Sequence, residues 1–288
     1  MSSMQRFIRL SRTWMVAFVL VLFSTAYLST AYAASNRTTL TWYGQSAFVL
    51  TTPKGHTILF DPWFANPMNP QGNKVADALT HVDLILVSHG HFDHVGAAAA
   101  ISKRTGAKLV GTLDMGEALA RYGGFPKENM SYATLGNYGG QLSFFDGEVQ
   151  ILIVPAIHSS HVSGKDLGFN DDDEDHWGGN PAGFVVKIAG GPTIYHTGDT
   201  DLFQDMALIP QFSHIDLMLV CIGDHFTMGP ARAAAAVALV KPTRAVPMHY
   251  GTFLPLMTGT PEAFKEELGK RNLSRTYFPM QVGVPITL

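Results

Sequence analysis

Residues 84–95 read Leu-Ile-Leu-Val-Ser-His-Gly-His-Phe-Asp-His-Val, so a short apolar run leads directly into three histidines and one aspartate. Residues 83–87 are few and almost entirely apolar, which predicts a buried β-strand. The polar hexad 89–94 then forms the loop at the C-terminal end of that strand, and a helix is predicted over 95–104. Asp93 and His94 stand where this helix begins, a position at which a carboxylate suits the helix dipole.

The side chains of this hexad indicate metal binding. Neutral imidazole and carboxylate groups are ligands that suit zinc, manganese or iron, and the hexad has no thiolate to narrow the choice. A polar surface loop with unrelated histidines is the alternative. That alternative fits poorly with three imidazoles and a carboxylate inside six residues. The sequence therefore predicts a metal site at the end of this strand.

Composition limits the class of protein. A chain of 288 residues has room for one large α/β domain or two small ones. Its 46% apolar and 15% charged residues are typical of a globular core. The net charge of −3 and the lack of a basic stripe argue against a nucleic-acid partner. A small-molecule substrate is the expected partner, and composition leaves the oligomeric state open.

The first 33 residues have the pattern of a secretory signal peptide. Three arginines precede an apolar run over 14–23, and Ala31-Tyr32-Ala33 is a small-x-small cleavage signal. The apolar stretch is shorter than the roughly 20 residues needed to span a bilayer, although an uncleaved anchor is the alternative. We therefore predict a signal peptide over 1–33, a mature domain over 34–288, a periplasmic or secreted location and no stable membrane insertion after cleavage. Cys221 is the single cysteine, so no intrachain disulfide can form.

Apolar and turn patterns predict strands and helices along the rest of the chain. They start as a meander of strands and continue as strand–helix units, which suggests two sheets with helices outside them rather than one doubly wound sheet. Asp114 is the predicted N-cap of one helix, and a proline opens another. The predicted strands are 39–43, 47–51, 57–60, 108–110, 149–154, 183–188, 193–195, 216–220 and 244–248, and the further helices are 114–122 and 230–240.

Three more predicted strands end in possible metal ligands. His158, Asp199 and His249 follow the strands 149–154, 193–195 and 244–248. Each residue alone is more typical of a hydrogen-bonded loop side chain. Because sites in α/β proteins gather at the C-terminal ends of strands, we expect all three to converge on the hexad. Five histidines and two aspartates are then enough for two metal ions with one carboxylate between them.

Together these residues resemble the ligand set of the metallo-β-lactamase superfamily. Several flanking stretches are similar to its metal-dependent hydrolase branch, which is itself similar to L-ascorbate-6-phosphate lactonase and N-acyl-phosphatidylethanolamine phospholipase D. The resemblance runs from about Thr39 to the C-terminus. The stretches that carry it are 179–184 (GNPAGF), 195–200 (YHTGDT), 222–230 (IGDHFTMGP) and 247–253 (PMHYGTF).

This resemblance implies an α/β fold of the αββα four-layer sandwich type, with a centre of two divalent ions between the sheets. Zinc is the expected metal, with manganese and iron as alternatives. Asp199 would bridge the two ions. The resemblance assigns one ion to His89, His91 and His158, and the other to Asp93, His94 and His249.

The branch is usually cytosolic and without an export signal, so the N-terminal segment of this chain is one departure from it, and two other places also differ. His225 stands where the branch usually has asparagine, and it is either a structural histidine or a proton donor to the leaving group. The loop 159–177 looks longer than usual; we expect its His161 and His176 to be solvated, with a rim contact or a third metal site as the alternative. The acidic run 171–175 reads as a mobile, solvated loop, and His196 is expected to pack beneath the site without binding metal.

The expected activity is that of an exported metal-dependent hydrolase that cleaves an ester, a lactone or a phosphodiester. The nucleophile would be a metal-bound hydroxide, Asp93 would relay a proton as well as bind metal, and His225 would be the candidate acid. A β-lactamase is one alternative, but those enzymes lack a bridging aspartate at the position of Asp199. A non-catalytic metal-binding protein is the other alternative.

Overall fold

A computed structural model describes residues 37–288, so the predicted signal peptide over 1–33 lies outside the described residues. Short strands and helices alternate along this part of the chain. The strands are β1 Thr39–Trp42, β2 Phe48–Thr51, β3 Thr57–Phe60, β4 Leu84–Leu86, β5 Lys108–Thr112, β6 Leu135–Gly136, β7 Gln141–Phe144, β8 Val149–Pro155, β9 His161–Val162, β10 His176–Trp177, β11 Ala182–Ile188, β12 Thr193–His196, β13 Leu217–Cys221, β14 Arg244–Met248 and β15 Ile286–Thr287. The α-helices are α1 Lys74–Ala78, α2 Phe92–Val95, α3 Ala98–Thr105, α4 Leu113–Tyr122, α5 Ile209–Phe212, α6 Pro230–Val240 and α7 Pro261–Lys270.

The strands form two large sheets. The first has seven strands in the order β15-β1-β2-β3-β4-β5-β6, and the second has six in the order β14-β13-β12-β11-β8-β7. Both are mixed: β3, β4 and β5 run parallel in the first sheet, and β12, β13 and β14 run parallel in the second. β9 and β10 form a separate antiparallel pair. Because the parallel strands of each sheet end at one edge, the loops that follow them can meet there.

Alternation along the strands of the first sheet explains the layers. Ile58 and Phe60 of β3 enter the core between the sheets, whereas Leu59 faces the opposite side and packs in a second apolar cluster. Leu84 and Leu86 of β4 likewise enter the core between the sheets, and Ile85 packs in the second cluster, as the period of two in a strand requires. Both faces of this sheet are therefore buried.

Helices cover the outer faces of both sheets. Ile101 of α3 and Leu119 of α4 belong to the apolar cluster on the outside of the first sheet. Val237 of α6 and Phe264 of α7 belong to the large apolar cluster that contains the strands of the second sheet, and α6 contacts β13 of that sheet. The predicted αββα order of layers is thus confirmed, as is the prediction of two sheets with helices outside. Among residues 37–288, no helix combines the length and the apolar character that a bilayer span requires.

Two of the local predictions are wrong. The helix expected over 95–104 is two helices, α2 and α3, separated at Gly96, which has a φ of 43°. A side chain at Gly96 would collide with the backbone of Trp63, so this close approach requires glycine. α4 begins at Leu113 with Thr112 at the N-cap and no side-chain cap, so Asp114 lies inside the first turn instead of capping it.

Candidate metal centre

Four segments that each follow a strand bring the predicted ligands to one edge of the sandwich; the hexad, predicted as a loop, is a loop only over 89–91, and its Asp93 and His94 lie in α2. The hexad follows β4 of the first sheet, and the loops after β8, β12 and β14 of the second sheet carry the others. Two groups of possible ligand atoms result, and within each group all atoms lie within 4.8 Å of one another. The three-histidine cluster contains His89, His91 and His158; the carboxylate cluster contains Asp93, His94, Asp199 and His249.

The three-histidine cluster consists of imidazoles that are hard to protonate. His89 Nε2 and His91 Nδ1 are 2.8 Å apart. Burial is the largest effect and holds the pKa of His89 well below its usual range, with the neighbouring His94 adding to it. Burial, and next the neighbouring His158, lower the pKa of His91 to about 4. Burial likewise lowers the pKa of His158. Neutral imidazole is the form that binds a metal ion.

In the carboxylate cluster, the pKa values of the histidines are raised instead of lowered. Burial alone would lower the pKa of His249, but Asp199 and Asp93 outweigh it and raise the pKa to about 9. Burial also opposes protonation of His94, yet Asp199 and Asp61 hold its pKa well above the usual range. For Asp199, burial would raise the pKa, and the imidazoles of His249 and His94 instead keep it well below its usual range.

Asp199 lies between the two clusters. Its Oδ2 atom is 2.8 Å from His249 Nε2 and 3.3 Å from His94 Nε2, both in the carboxylate cluster. The same oxygen is 3.7 Å from His158 Nε2 of the three-histidine cluster. A carboxylate in this position can reach two cations at once.

Buried atoms without hydrogen bonds show that this donor set fits a metal. Within the described chain, His94 Nε2, His249 Nε2 and Asp199 Oδ1 are buried and have no hydrogen-bond partner. The close pair of His249 Nε2 and Asp199 Oδ2 is not aligned for a hydrogen bond. Leaving buried polar groups unpaired is costly, and binding of a cation by this donor set would lower that cost. Nitrogen and oxygen donors without thiolate suit zinc, manganese or iron.

A buried aspartate that the sequence analysis did not select holds part of the site in place. Asp61 accepts hydrogen bonds of 2.7 Å from the Ser88 backbone N–H, from Ser88 Oγ and from His94 Nδ1. A histidine that donates from Nδ1 presents Nε2 to a metal, so this contact fixes both the tautomer and the ring orientation. The available signal was an acidic residue directly after β3, the same signal that pointed to the other strand ends.

Two further residues, Gln45 and His196, contact the groups that surround the site. Gln45 Nε2 donates a 2.8 Å hydrogen bond to Asp93 Oδ2, and Thr252 Oγ1 donates one of 2.6 Å to Gln45 Oε1. His196 is fully buried, stacks on Phe60 at 5.2 Å, and its Nε2 lies 3.2 Å from the Ser46 carbonyl oxygen. It lies outside both clusters, with its Nε2 3.9 Å from Asp61 Oδ2.

His225 and the long loop after β8 lie at the rim. His225 is exposed, has a φ of 55°, packs edge-on against Phe226 at 4.5 Å, and belongs to neither cluster. His161 and His176, which were expected to be solvated, are partly buried. The ring of His161 lies 4.4 Å from that of His91, so the rim-contact alternative describes its position.

His176 stacks on Tyr122 at 3.7 Å, and its Nε2 is 2.8 Å from Asp172 Oδ2. Each of these two histidines also lies close enough to exposed carboxylates to form a possible ligand group. Exposed groups of this kind are common in proteins without any ion. The Asp172 contact already satisfies the His176 ring nitrogen.

The two-sheet fold and its two clusters of possible metal ligands indicate one class of protein. Comparison with known proteins supports the same class. Residues 56–250 match the family described as "Beta-lactamase superfamily domain", and the chain therefore belongs to the metallo-β-lactamase superfamily. A UPF0173 metal-dependent hydrolase from Thermodesulfovibrio yellowstonii is 45% identical over 260 residues, which span 89% of this chain and 94% of the relative. Another from Anaeromyxobacter sp. is 51% identical over 238 residues, 82% of each chain.

Among solved structures, the chain is similar to Igni18, a metallo hydrolase from the archaeon Ignicoccus hospitalis. It has 31% sequence identity and a TM-score of 0.72, covering 87% of this chain and 98% of that one. The protein is accordingly a metal-dependent hydrolase of this superfamily. The narrower resemblance to a lactonase and to a phospholipase D stays a prediction, because these relatives are described only as hydrolases.

Proposed function

We propose that the protein hydrolyses an ester, a lactone or a phosphodiester with two divalent ions, of which zinc is the first candidate and manganese and iron are the alternatives. The observation that supports two ions is Asp199 Oδ2, which lies within 3.7 Å of a ligand nitrogen in each cluster. His89, His91 and His158 would hold one ion. Asp93, His94 and His249 would hold the other, with Asp199 between them.

Bound divalent ions would supply water of lowered pKa and would polarise the oxygen of the bond to be cleaved. The residues of the chain orient these components. Gln45 donates to Asp93 Oδ2, the oxygen that also lies 3.6 Å from His94 Nε2 and 3.5 Å from His249 Nε2, and so fixes this carboxylate beside the other members of the cluster. Asp61 holds His94 through Nδ1 and so directs its Nε2 into the centre.

The decisive experiment pairs metal content with activity. Purified protein loaded with zinc is assayed on p-nitrophenyl acetate, a lactone, bis(p-nitrophenyl) phosphate and nitrocefin, and its metal is counted. We expect about two ions and turnover of one of the first three substrates. Asp199→Asn should lose both metal and turnover, whereas Asp201→Asn, a change at an exposed carboxylate two residues along, should retain both. A preference for nitrocefin would favour the β-lactamase alternative, and full metal without turnover would favour the non-catalytic one.

We also propose that His225 donates a proton to the leaving group. Its loop follows β13, and Gly223 in that loop packs against the backbone of His249, so the loop borders the carboxylate cluster. His225→Asn should keep the metal and lower kcat by about a hundredfold or more on alkoxide leaving groups. The loss should be smaller for p-nitrophenolate, which leaves without a proton. Equal losses on both would point to positioning instead.

Export is proposed from the N-terminal sequence pattern alone. N-terminal sequencing of protein from the cell envelope should begin near Ala34. An intact Met1 in the membrane fraction would contradict cleavage and support the anchor.

A further inference from the structure

Four aromatic side chains pack together at the rim of the metal centre. This aromatic cluster consists of Trp63, Phe92, Phe226 and Phe253. Phe253 is central: its ring stacks on Trp63 at 5.7 Å and meets Phe92 and Phe226 edge-on, each at 6.1 Å. Phe92 is 38% exposed and Phe226 is 45% exposed, so the cluster is open to solvent. Each residue comes from a different loop or helix start that follows a strand.

The aromatic cluster borders the carboxylate cluster of the metal centre. Phe92 is the residue immediately before Asp93 and lies on the exposed side of α2, while Asp93 and His94 are buried. Phe253 adjoins Thr252, which is linked through Gln45 to Asp93 by the two hydrogen bonds described above. An apolar group resting on these rings would therefore lie beside the carboxylate cluster.

The rim beside the three-histidine cluster is acidic, in contrast to the apolar aromatic cluster. There His161 packs on His91, and its loop over 159–177 carries six carboxylates and one lysine. That lysine, Lys165, is paired with Asp173 at 3.0 Å. Arg232 of α6, near the loop that carries Asp199, is paired with Asp201 through two hydrogen bonds. Like charges repel, so this acidic loop opposes the approach of an anionic substrate, while cations in the centre would attract only the group that reaches them.

We propose that the substrate is a neutral carboxylic ester or lactone whose acyl or alcohol part is apolar and rests on the aromatic cluster. Exposed aromatic patches at a cleft mark binding sites for apolar groups, and a few polar groups beside them fix orientation. This inference rests on the hydrolase function proposed above. The reaction consumes one water: its oxygen bonds to the acyl carbon, the acyl C–O bond breaks, and a water proton passes to the leaving alcohol.

A chain-length series tests this substrate class on the zinc-loaded protein. The substrates are p-nitrophenyl acetate, butyrate and octanoate, with bis(p-nitrophenyl) phosphate as the anionic comparison. We expect kcat/KM to rise at least about tenfold from acetate to octanoate and to be lowest for the phosphodiester. Phe253→Ala should remove most of that rise. Phe212→Ala is the matched control, because Phe212 is 81% exposed on α5 and lies outside the aromatic cluster.

Binding provides a readout apart from turnover. Calorimetric titration of the loaded protein with 4-phenylbutan-1-ol, a neutral product-like alcohol, should give a Kd that Phe253→Ala raises about tenfold and Phe212→Ala leaves unchanged. If Phe253→Ala does not fold, Phe226→Ala at the exposed edge of the cluster should show the same direction of change.

The outcomes separate the two proposals. Hydrolysis of none of the esters, lactones or phosphodiesters would overturn the proposed function. Ester hydrolysis without a rise along the series, or a preference for the phosphodiester, would overturn the substrate class and leave the hydrolase standing. A rise along the series that both Phe253→Ala and Phe226→Ala retain would overturn the role of the aromatic cluster.

Discussion

The three-histidine cluster and the carboxylate cluster lie side by side and differ in charge, burial and support. The first consists of neutral imidazoles, and two of its members, His91 and His158, are only partly buried. The second is buried throughout, contains two carboxylates, and has imidazoles whose pKa values are raised. Asp61 and Gln45 hydrogen-bond directly to members of the second cluster, whereas the first reaches Asp61 only through Ser88, whose Oγ lies 3.0 Å from His89 Nδ1.

This difference shows how one edge of a fold can offer two unlike sites. A neutral, partly open cluster accepts a cation without first losing protons and can exchange it with solvent. A buried cluster of carboxylates and protonated imidazoles must release protons before a cation enters, but it then places two negative charges against that cation. The two ions should therefore differ in affinity and in pH response.

The largest expected effect comes from removing one ligand of each cluster. His158→Ala should lose the ion of the three-histidine cluster, and His249→Ala that of the carboxylate cluster, so each variant should hold about one ion. Each should lose about a hundredfold or more in kcat, because the proposed chemistry uses both ions. Metal analysis and kinetics measure both. His214→Ala, at an exposed histidine on the surface, is the control. Loss of both ions in either variant would mean that the clusters are not separate sites.

The next effect concerns Asp61, which supports one cluster more than the other. Asp61→Ala leaves the Ser88 N–H, Ser88 Oγ and His94 Nδ1 without their buried acceptor. We expect the free energy of unfolding to fall by about 3 kcal/mol. Affinity for the ion of the carboxylate cluster should fall by roughly 10–100-fold. Urea unfolding and metal competition titrations measure the two quantities.

Asp61→Asn is the matched variant in case the alanine variant does not fold. It keeps an acceptor for Ser88 but removes the charge beside His94, so a smaller loss of stability should accompany a persistent loss of affinity. Equal weakening of both ions would contradict selective support of the carboxylate cluster.

Compared over a single pH unit, the smallest expected effect is a difference in pH response between the two clusters. Because the pKa of His249 is raised to about 9 in the absence of metal, a cation that binds below that pH must displace its proton. Its apparent affinity should fall by at least about tenfold per pH unit as the pH is lowered from 9, because the pKa of His94 is raised as well and its proton must also be displaced. The pKa of His91 is lowered to about 4, so the three-histidine cluster has little proton to displace between pH 6 and pH 9 and its affinity should be nearly flat.

Competition titrations at several pH values test this difference. His158→Ala reports on the carboxylate cluster alone, and His249→Ala on the three-histidine cluster alone. Parallel slopes in the two variants would contradict the electrostatic contrast between the clusters.

The structure brings together the residues that the sequence pattern selected, and their signals were local. The hexad is a dense run of ligand types after an apolar strand, and the remaining ligands each follow a strand end. Asp61 was missed because its partners, Ser88 and His94, are 27 and 33 residues away, and a single acid after a strand has many ordinary explanations. Hydrogen bonds between residues so far apart in the chain depend on the order of the strands in the sheet, which a hydropathy pattern does not predict.

Other features could not be predicted from the sequence, for related reasons. The break at Gly96 is set by the backbone of Trp63, a tertiary contact that no helix propensity records. The helix Pro261–Lys270 was not predicted, although Thr260 and Pro261 carry the start signal that its cap confirms. The aromatic cluster is assembled from four separate segments, so its existence follows only from the folded chain.

Each cluster takes ligands from both sheets, and this gives the hydrophobic core a second role. His89 and His91 come from the first sheet and His158 from the second; Asp93 and His94 face Asp199 and His249 in the same way. The thickness of the packed layer between the sheets, where Phe60 and Phe184 lie fully buried, therefore sets how far apart opposing ligands stand. Selection on metal affinity thus reaches residues that never touch an ion, and a core substitution neutral for stability need not be neutral for the enzyme.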